Sequence, residues 1–66
     1  MRRELFISRS SAYLMAIKLG RRLGLSSEQI VTGSRAYPVY KRGECVGWEA
    51  WIPQSQGARP IREGEV

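Results

Sequence analysis

An α+β fold follows from three observations along this 66-residue sequence. Ala12, Met15, Ala16, Leu19 and Leu23 fall on one stripe at helical spacing. Two β-rich runs, residues 36–41 and 44–52, flank Arg42-Gly43 in the pattern of a hairpin. Glu4 to Ser8 is a β-prone stretch. The expected order is a short N-terminal strand, one main amphipathic helix, a short helical turn and a C-terminal β-hairpin, or β-α-(α)-β-β.

Each element has its own signals. Ser10 or Ser11 is placed to cap the main helix by accepting from backbone N–H groups two or three residues on. The helix should run from about residue 12 to 23 and stop at Gly24, which tolerates the left-handed conformation. Tyr13 and Ile17 widen its apolar arc, while Lys18, Arg21 and Arg22 lie opposite with Leu14 among them. Gly20 inside it costs about 1 kcal/mol relative to alanine and marks a weak point or a close contact. Ser26 with Gln29 forms the pattern of a capping box, so residues 25–33 read as a short second helix closed by Gly33. A strand over residues 29–32, where Ile30, Val31 and Thr32 are β-branched, is the alternative.

With Arg42-Gly43 as a two-residue loop, Lys41 faces Glu44 as a cross-strand ion pair, Tyr40 faces Cys45, Val39 faces Val46 and Tyr37 faces Trp48. Tyr37, Val39, Val46, Trp48 and Ala50 then form the core face. Pro38, Tyr40, Cys45, Gly47, Glu49 and Trp51 form the outer one. Pro53 should end the second strand. Residues 54–66 lack apolar periodicity and are expected to be a disordered tail, leaving residues 1–53 as a single small basic α+β domain.

A chain of this size buries only about 60% of its unfolded surface, for roughly 3–5 kcal/mol of net stability. Cys45 is the sole cysteine, so no internal disulfide can help. With no histidine or aspartate, a zinc site lacks ligands, and no cofactor is expected. Self-association remains as a stabilising device, and a homodimer is expected. The longest apolar stretch near the start, residues 12–17, is far short of the ~20 needed to span a bilayer. Glu4 interrupts the charged beginning Met1-Arg2-Arg3, and no apolar signal region follows before Ser8. Together with the lone cysteine this points to a cytoplasmic protein without membrane contact.

Catalysis is argued against by elimination. Without histidine or aspartate, neither a Ser-His-Asp nor a Cys-His pair can be assembled. Gly20 to Gly24 lacks the strand–turn–helix context of a phosphate loop, and Cys45 reads as an inert strand residue. No enzyme and no small-molecule substrate are expected.

Charge is the clearest functional signal. Eleven basic residues stand against six glutamates, and the whole excess of +5 lies before Pro53. Such a balance attracts polyanions. The expectation is a small non-enzymatic regulatory module that binds DNA through Lys18, Arg21, Arg22, Gln29, Arg35, Lys41 and Arg42. Two helices followed by a hairpin have the order of a helix-turn-helix with a wing, in which Ser27, Glu28 and Gln29 would meet base edges and the hairpin tip phosphates. Tyr37-Pro38, Gly43 and Val46-Gly47-Trp48 loosely resemble the wing of small phage excisionase and AlpA-like regulators, where an aromatic-Pro pair leads through a basic turn to Gly-Trp. That resemblance covers residues 37–48, with a shorter spacing and with Ile52-Pro53 in place of the helix that follows the tryptophan. It implies a phage- or plasmid-type transcription regulator. The alternative is an adaptor or inhibitor that binds a protein partner through Leu14, Tyr40 and Trp51.

Overall fold

A computed structural model describes residues 2–65; Met1 and Val66 lie outside the described residues. Its elements are helix α1 (Arg9–Arg22), helix α2 (Ser27–Gly33) and strands β1 (Arg35–Lys41), β2 (Glu44–Gln54) and β3 (Gly57–Pro60). The strands form one antiparallel sheet in the order β1-β2-β3. The α+β class and the order of helices then hairpin are as expected from the sequence.

The N-terminal segment contributes isolated bridges and no full strand. Arg3 bridges Arg62 and Phe6 bridges Trp48, the latter through hydrogen bonds of 2.8 and 2.9 Å. With the chain held as far as Phe6, the first serine after it becomes the cap. Ser8 is extended and its hydroxyl accepts from the Ser11 N–H at 3.1 Å, so α1 starts earlier than a cap at Ser10 or Ser11 would allow. Its other end closes on a Schellman motif: Leu25 N–H donates to Gly20 O and Gly24 N–H to Arg21 O, with Gly24 at φ +83°. The capping box of α2 is complete, with Gln29 N–H donating to Ser26 Oγ and Ser26 N–H to Gln29 Oε1. This box, with Ile30 buried against α1, holds the β-branched residues 30–32 in a helix.

Arg42 and Gly43 adopt φ of 52° and 81°, the type I′ geometry that matches strand twist. Lys41 and Glu44 face each other, and so do Tyr40 and Cys45. The register then shifts by one residue between Val39 and Tyr40, and Val39 meets Gly47. Val46 is thus the extra residue of a bulge and is exposed. The bulge reverses the expected facing of β1 and takes Val46 off the expected core face, while in β2 Trp48 and Ala50 face inward and Glu49 and Trp51 outward as expected. Ala36 and Pro38 sit opposite Ala50 and Trp48 and face the core, whereas Tyr37 and Val39 share the outer face with Glu49 and Trp51. Beside the bulge, the N-terminal segment packs closely on Gly47, where a Cβ would stand 3.2 Å from Leu5 Cβ.

Residues 54–65, expected to be disordered, instead complete the fold. β2 continues through Pro53, turns at Ser55-Gln56 and returns as β3. Proline is tolerated because Trp48 and Ala50 bond towards the N-terminal segment and Ile61, so Pro53 points its missing N–H the other way. On that side β1 has already begun at Arg35, opposite Trp51, and no ladder bond is lost. The core is Ala12, Ala16 and Leu19 of α1 against Ala50 and Ile52 of β2 and the fully buried Ile61, with Phe6, Met15, Ala36 and Trp48 packed around them. Both helices pack against the sheet, and α1 covers the face that carries Ala50 and Ile52.

Two glycines test this packing. A Cβ on Gly33 would lie 2.5 Å from Pro53 Cβ, a neighbour held in the sheet. Gly33→Ala is therefore expected to cost about 1–3 kcal/mol by overpacking. A Cβ on Gly20 would lie 2.9 Å from Ile30 Cγ1, so the buried Ile30 side chain must shift, and the about 1 kcal/mol that the helix gains from alanine offsets that cost. Gly20→Ala should be nearly neutral. Urea midpoints of the two variants check the contrast.

The C-terminal turn is held by Arg59, which makes a two-pronged ion pair with Glu65, and by the Arg62 N–H, which donates to Glu65 at 3.0 Å. The Arg59 guanidinium, followed by the Arg62 N–H, holds the Glu65 carboxyl down at about 2, from an ordinary value of 4.5. A depressed carboxylate stabilises the fold fully above its unfolded value and loses that stabilisation as it protonates. Stability should thus fall between about pH 4.5 and 2 by on the order of 1 kcal/mol through this pair. Thermal melts across that range should show a shallower fall for Glu65→Gln.

Candidate nucleic-acid interface

Helix α1 is the most one-sided surface of the molecule. It contains Arg9, Lys18, Arg21 and Arg22 and no acidic residue. The 100° spacing that buries Ala12, Ala16 and Leu19 turns Leu14, Lys18, Arg21 and Arg22 to solvent, and all four are exposed. Neighbours at i+3 and i+4 bring the three cations together in the last turns, where the helix dipole favours positive charge. Their clustering therefore carries little structural penalty.

Among the described residues the ion pairs are Arg3–Glu49 and Arg59–Glu65. Lys18, Arg21 and Arg22 take part in neither. Nor do Lys41 and Arg42 at the hairpin tip: Lys41 faces Glu44 across the strands, but the expected ion pair does not close. Both tip residues are exposed, and Arg42 is set by its left-handed backbone at the apex.

Two other expected contacts are already engaged. The Gln29 side chain closes the capping box through Oε1. The Arg35 guanidinium donates to Thr32 O and Ser34 O, both at 2.8 Å, and closes the end of α2. Helix α2 has seven residues, about two turns, so Ser27, Glu28 and Gln29 form the start of a very short element.

The basic residues fall into two groups. Gly20 of α1 packs on Ile30 of α2, which puts Arg21 and Arg22 at the α2 end of the molecule. Seven-residue β1 then carries the chain away from α2 to Lys41 and Arg42, about 23 Å along an extended strand. The molecule is 37 Å along its longest axis, close to the ~34–36 Å turn of duplex DNA.

Leu14, Tyr40 and Trp51 do not share a surface. Leu14 lies on the solvent side of α1. Tyr40 follows Ala36 and Pro38 by strand alternation, and sits exposed beside the tip on the helix-covered side. Trp51 lies on the outer face and is half-buried: its Nε1 donates to Glu49 at 3.0 Å, Tyr37 meets it edge-on at 6.0 Å, and the Arg3 guanidinium sits 5.4 Å from its ring. Sequence reasoning missed Arg3 and Tyr37 in this cluster. Tyr37 was displaced by the bulge, and Arg3 carries no pattern of its own.

Cys45 is exposed on β2, with its thiol 3.5 Å from Gly47 O. No helix among the described residues is long and apolar enough to cross a membrane. Comparison with protein-family models, with curated proteins and with solved structures found no match.

Proposed function

We propose that this chain is a small non-enzymatic regulatory module that binds DNA, mainly by contacting phosphates from the basic side of α1. One observation carries the reading: Lys18, Arg21 and Arg22 are adjacent, exposed and, among the described residues, outside any ion pair, on a helix with no acidic residue. A cluster of this kind neutralises phosphates of a polyanion and releases the cations condensed on them, which is favourable in entropy. Lys41 and Arg42 add a second contact at the hairpin tip. None of the five has a partner that would fix a base-reading geometry, so the contacts are to backbone phosphate and the sequence preference is weak.

The test is binding of a fluorescent duplex of about 30 base pairs at several salt concentrations, starting near ~50 mM. Wild type should bind, with an affinity that falls steeply as salt rises. Arg42→Ala should weaken binding alike on unrelated sequences, lower the magnitude of the salt slope by about 1 and leave the melting temperature unchanged. Binding that ignores salt would contradict phosphate contact.

A further inference from the structure

We infer that Arg9 is a further DNA contact, and that it joins the two basic groups into one row along which the duplex lies. The inference rests on the nucleic-acid reading above and deepens it. Phe6 is bonded to Trp48, which sits opposite Pro38 at the middle of β1. Helix α1 therefore starts near mid-sheet and ends beside α2, where Gly20 packs on Ile30. Arg9, at its start, falls between the cluster at residues 18–22 and the hairpin tip at the far end of β1. Arg9 and Leu14 line one open hollow of about 570 Å³, so Arg9 borders the solvent side of α1 that carries the cluster.

Helix electrostatics sets Arg9 apart. Arg21 and Arg22 need no ligand to explain them, because the dipole favours cations in the last turn. Arg9 has no such explanation. It takes the first position after the Ser8 cap, where the dipole disfavours a cation, and the first turn holds no acidic residue to offset it. It is exposed, and among the described residues it closes no ion pair. A bound phosphate would relieve that unfavourable charge. Glu28 on α2 and Glu44, opposite Lys41, are the acids on α1, α2 and the hairpin tip. Arg9, Lys18, Arg21, Arg22, Lys41 and Arg42 outnumber them by four. A duplex carries one negative charge per ~1.7 Å of its axis. The part of the row from Arg9 to Arg22, about 20 Å along the helix, therefore meets phosphates throughout and needs no base register.

The experiment titrates the fluorescent duplex with wild type, Arg9→Gln, Arg9→Lys and Arg2→Gln across a range of salt concentrations. Arg2 is an exposed arginine lining the groove on the helix-free face of the sheet, so its loss changes the net charge equally but lies off the row. Arg9→Gln should bind about tenfold more weakly at ~0.1 M salt, with a salt slope smaller by about 1. Arg9→Lys keeps the charge and should match wild type, and Arg2→Gln should stay within about twofold of it. The melting temperature of Arg9→Gln should equal or exceed that of wild type, because a cation leaves the positive end of the helix. If wild type binds and Arg9→Gln weakens binding no more than Arg2→Gln does, the row falls while contact by Lys18, Arg21 and Arg22 stands. Weaker binding together with a lowered melting temperature would assign Arg9 to the fold and overturn the inference as well. If wild type does not bind the duplex, the inference and the α1 reading fall together.

Discussion

Replacing Ile61 by alanine is expected to unfold most of the protein at room temperature. Ile61 is fully buried, in contact with the cluster formed by α1 and β2. Its backbone also joins three segments: its N–H donates to Ala50 O at 2.8 Å and its carbonyl accepts from Glu4 N–H at 3.0 Å. Truncating a buried isoleucine to alanine costs about 2–5 kcal/mol. A core of this size supplies roughly 3–5 kcal/mol in all. The loss is therefore comparable to the whole. Far-ultraviolet circular dichroism and a urea titration would read it directly. A urea midpoint unchanged from wild type would mean that residues 57–65 are not packed as described.

Neutralising the α1 cluster is expected to have the largest effect on binding. Lys18→Gln, Arg21→Gln and Arg22→Gln combined keep good helix formers on an exposed face, so the fold should survive with a small loss of dipole stabilisation. Each phosphate contact contributes a salt slope of about 0.9, which near 0.1 M salt corresponds to roughly tenfold in affinity. Three contacts together predict a loss of several hundredfold and a slope smaller by about 3. Leu14→Ala, on the same side of the helix, removes no charge and should leave binding unchanged. A triple variant that binds like wild type would move the interface elsewhere.

Much of the fold was legible because local rules and tertiary packing agree. The alanine and leucine stripe of α1, the capping box at Ser26 and Gln29, and the left-handed Arg42-Gly43 turn each satisfy backbone groups within a few residues. What was not legible depends on partners distant in sequence. Ser8 caps α1 because Phe6 is tied to Trp48, a pairing across 42 positions that no local pattern announces. The bulge at Val46 leaves the ion-pair and aromatic cues in the sequence intact while turning β1 over, so cross-strand pairing alone named the wrong partners for Tyr37 and Val39. Residues 57–60 carry no apolar alternation in the sequence, because this short edge strand exposes Gly57 and Ala58. Its single strong signal, Ile61, stands between proline and arginine as an isolated apolar residue. At the candidate interface, the sequence marks the cations but not their partners. Among the described residues Lys18, Arg21, Arg22, Lys41 and Arg42 stand outside ion pairs, whereas Arg3 and Arg59 close onto glutamates 46 and six positions away.

The most direct test of DNA binding by α1 is an amide-resolved nuclear magnetic resonance titration with the duplex at low salt. The predicted result is a set of shifts concentrated at residues 18–22 and at Lys41 and Arg42, which reverse as salt is added, with Ala50, Ile52 and Ile61 unmoved. The contradicting result is an unchanged spectrum at a several-fold excess of duplex, which would remove duplex DNA binding by α1.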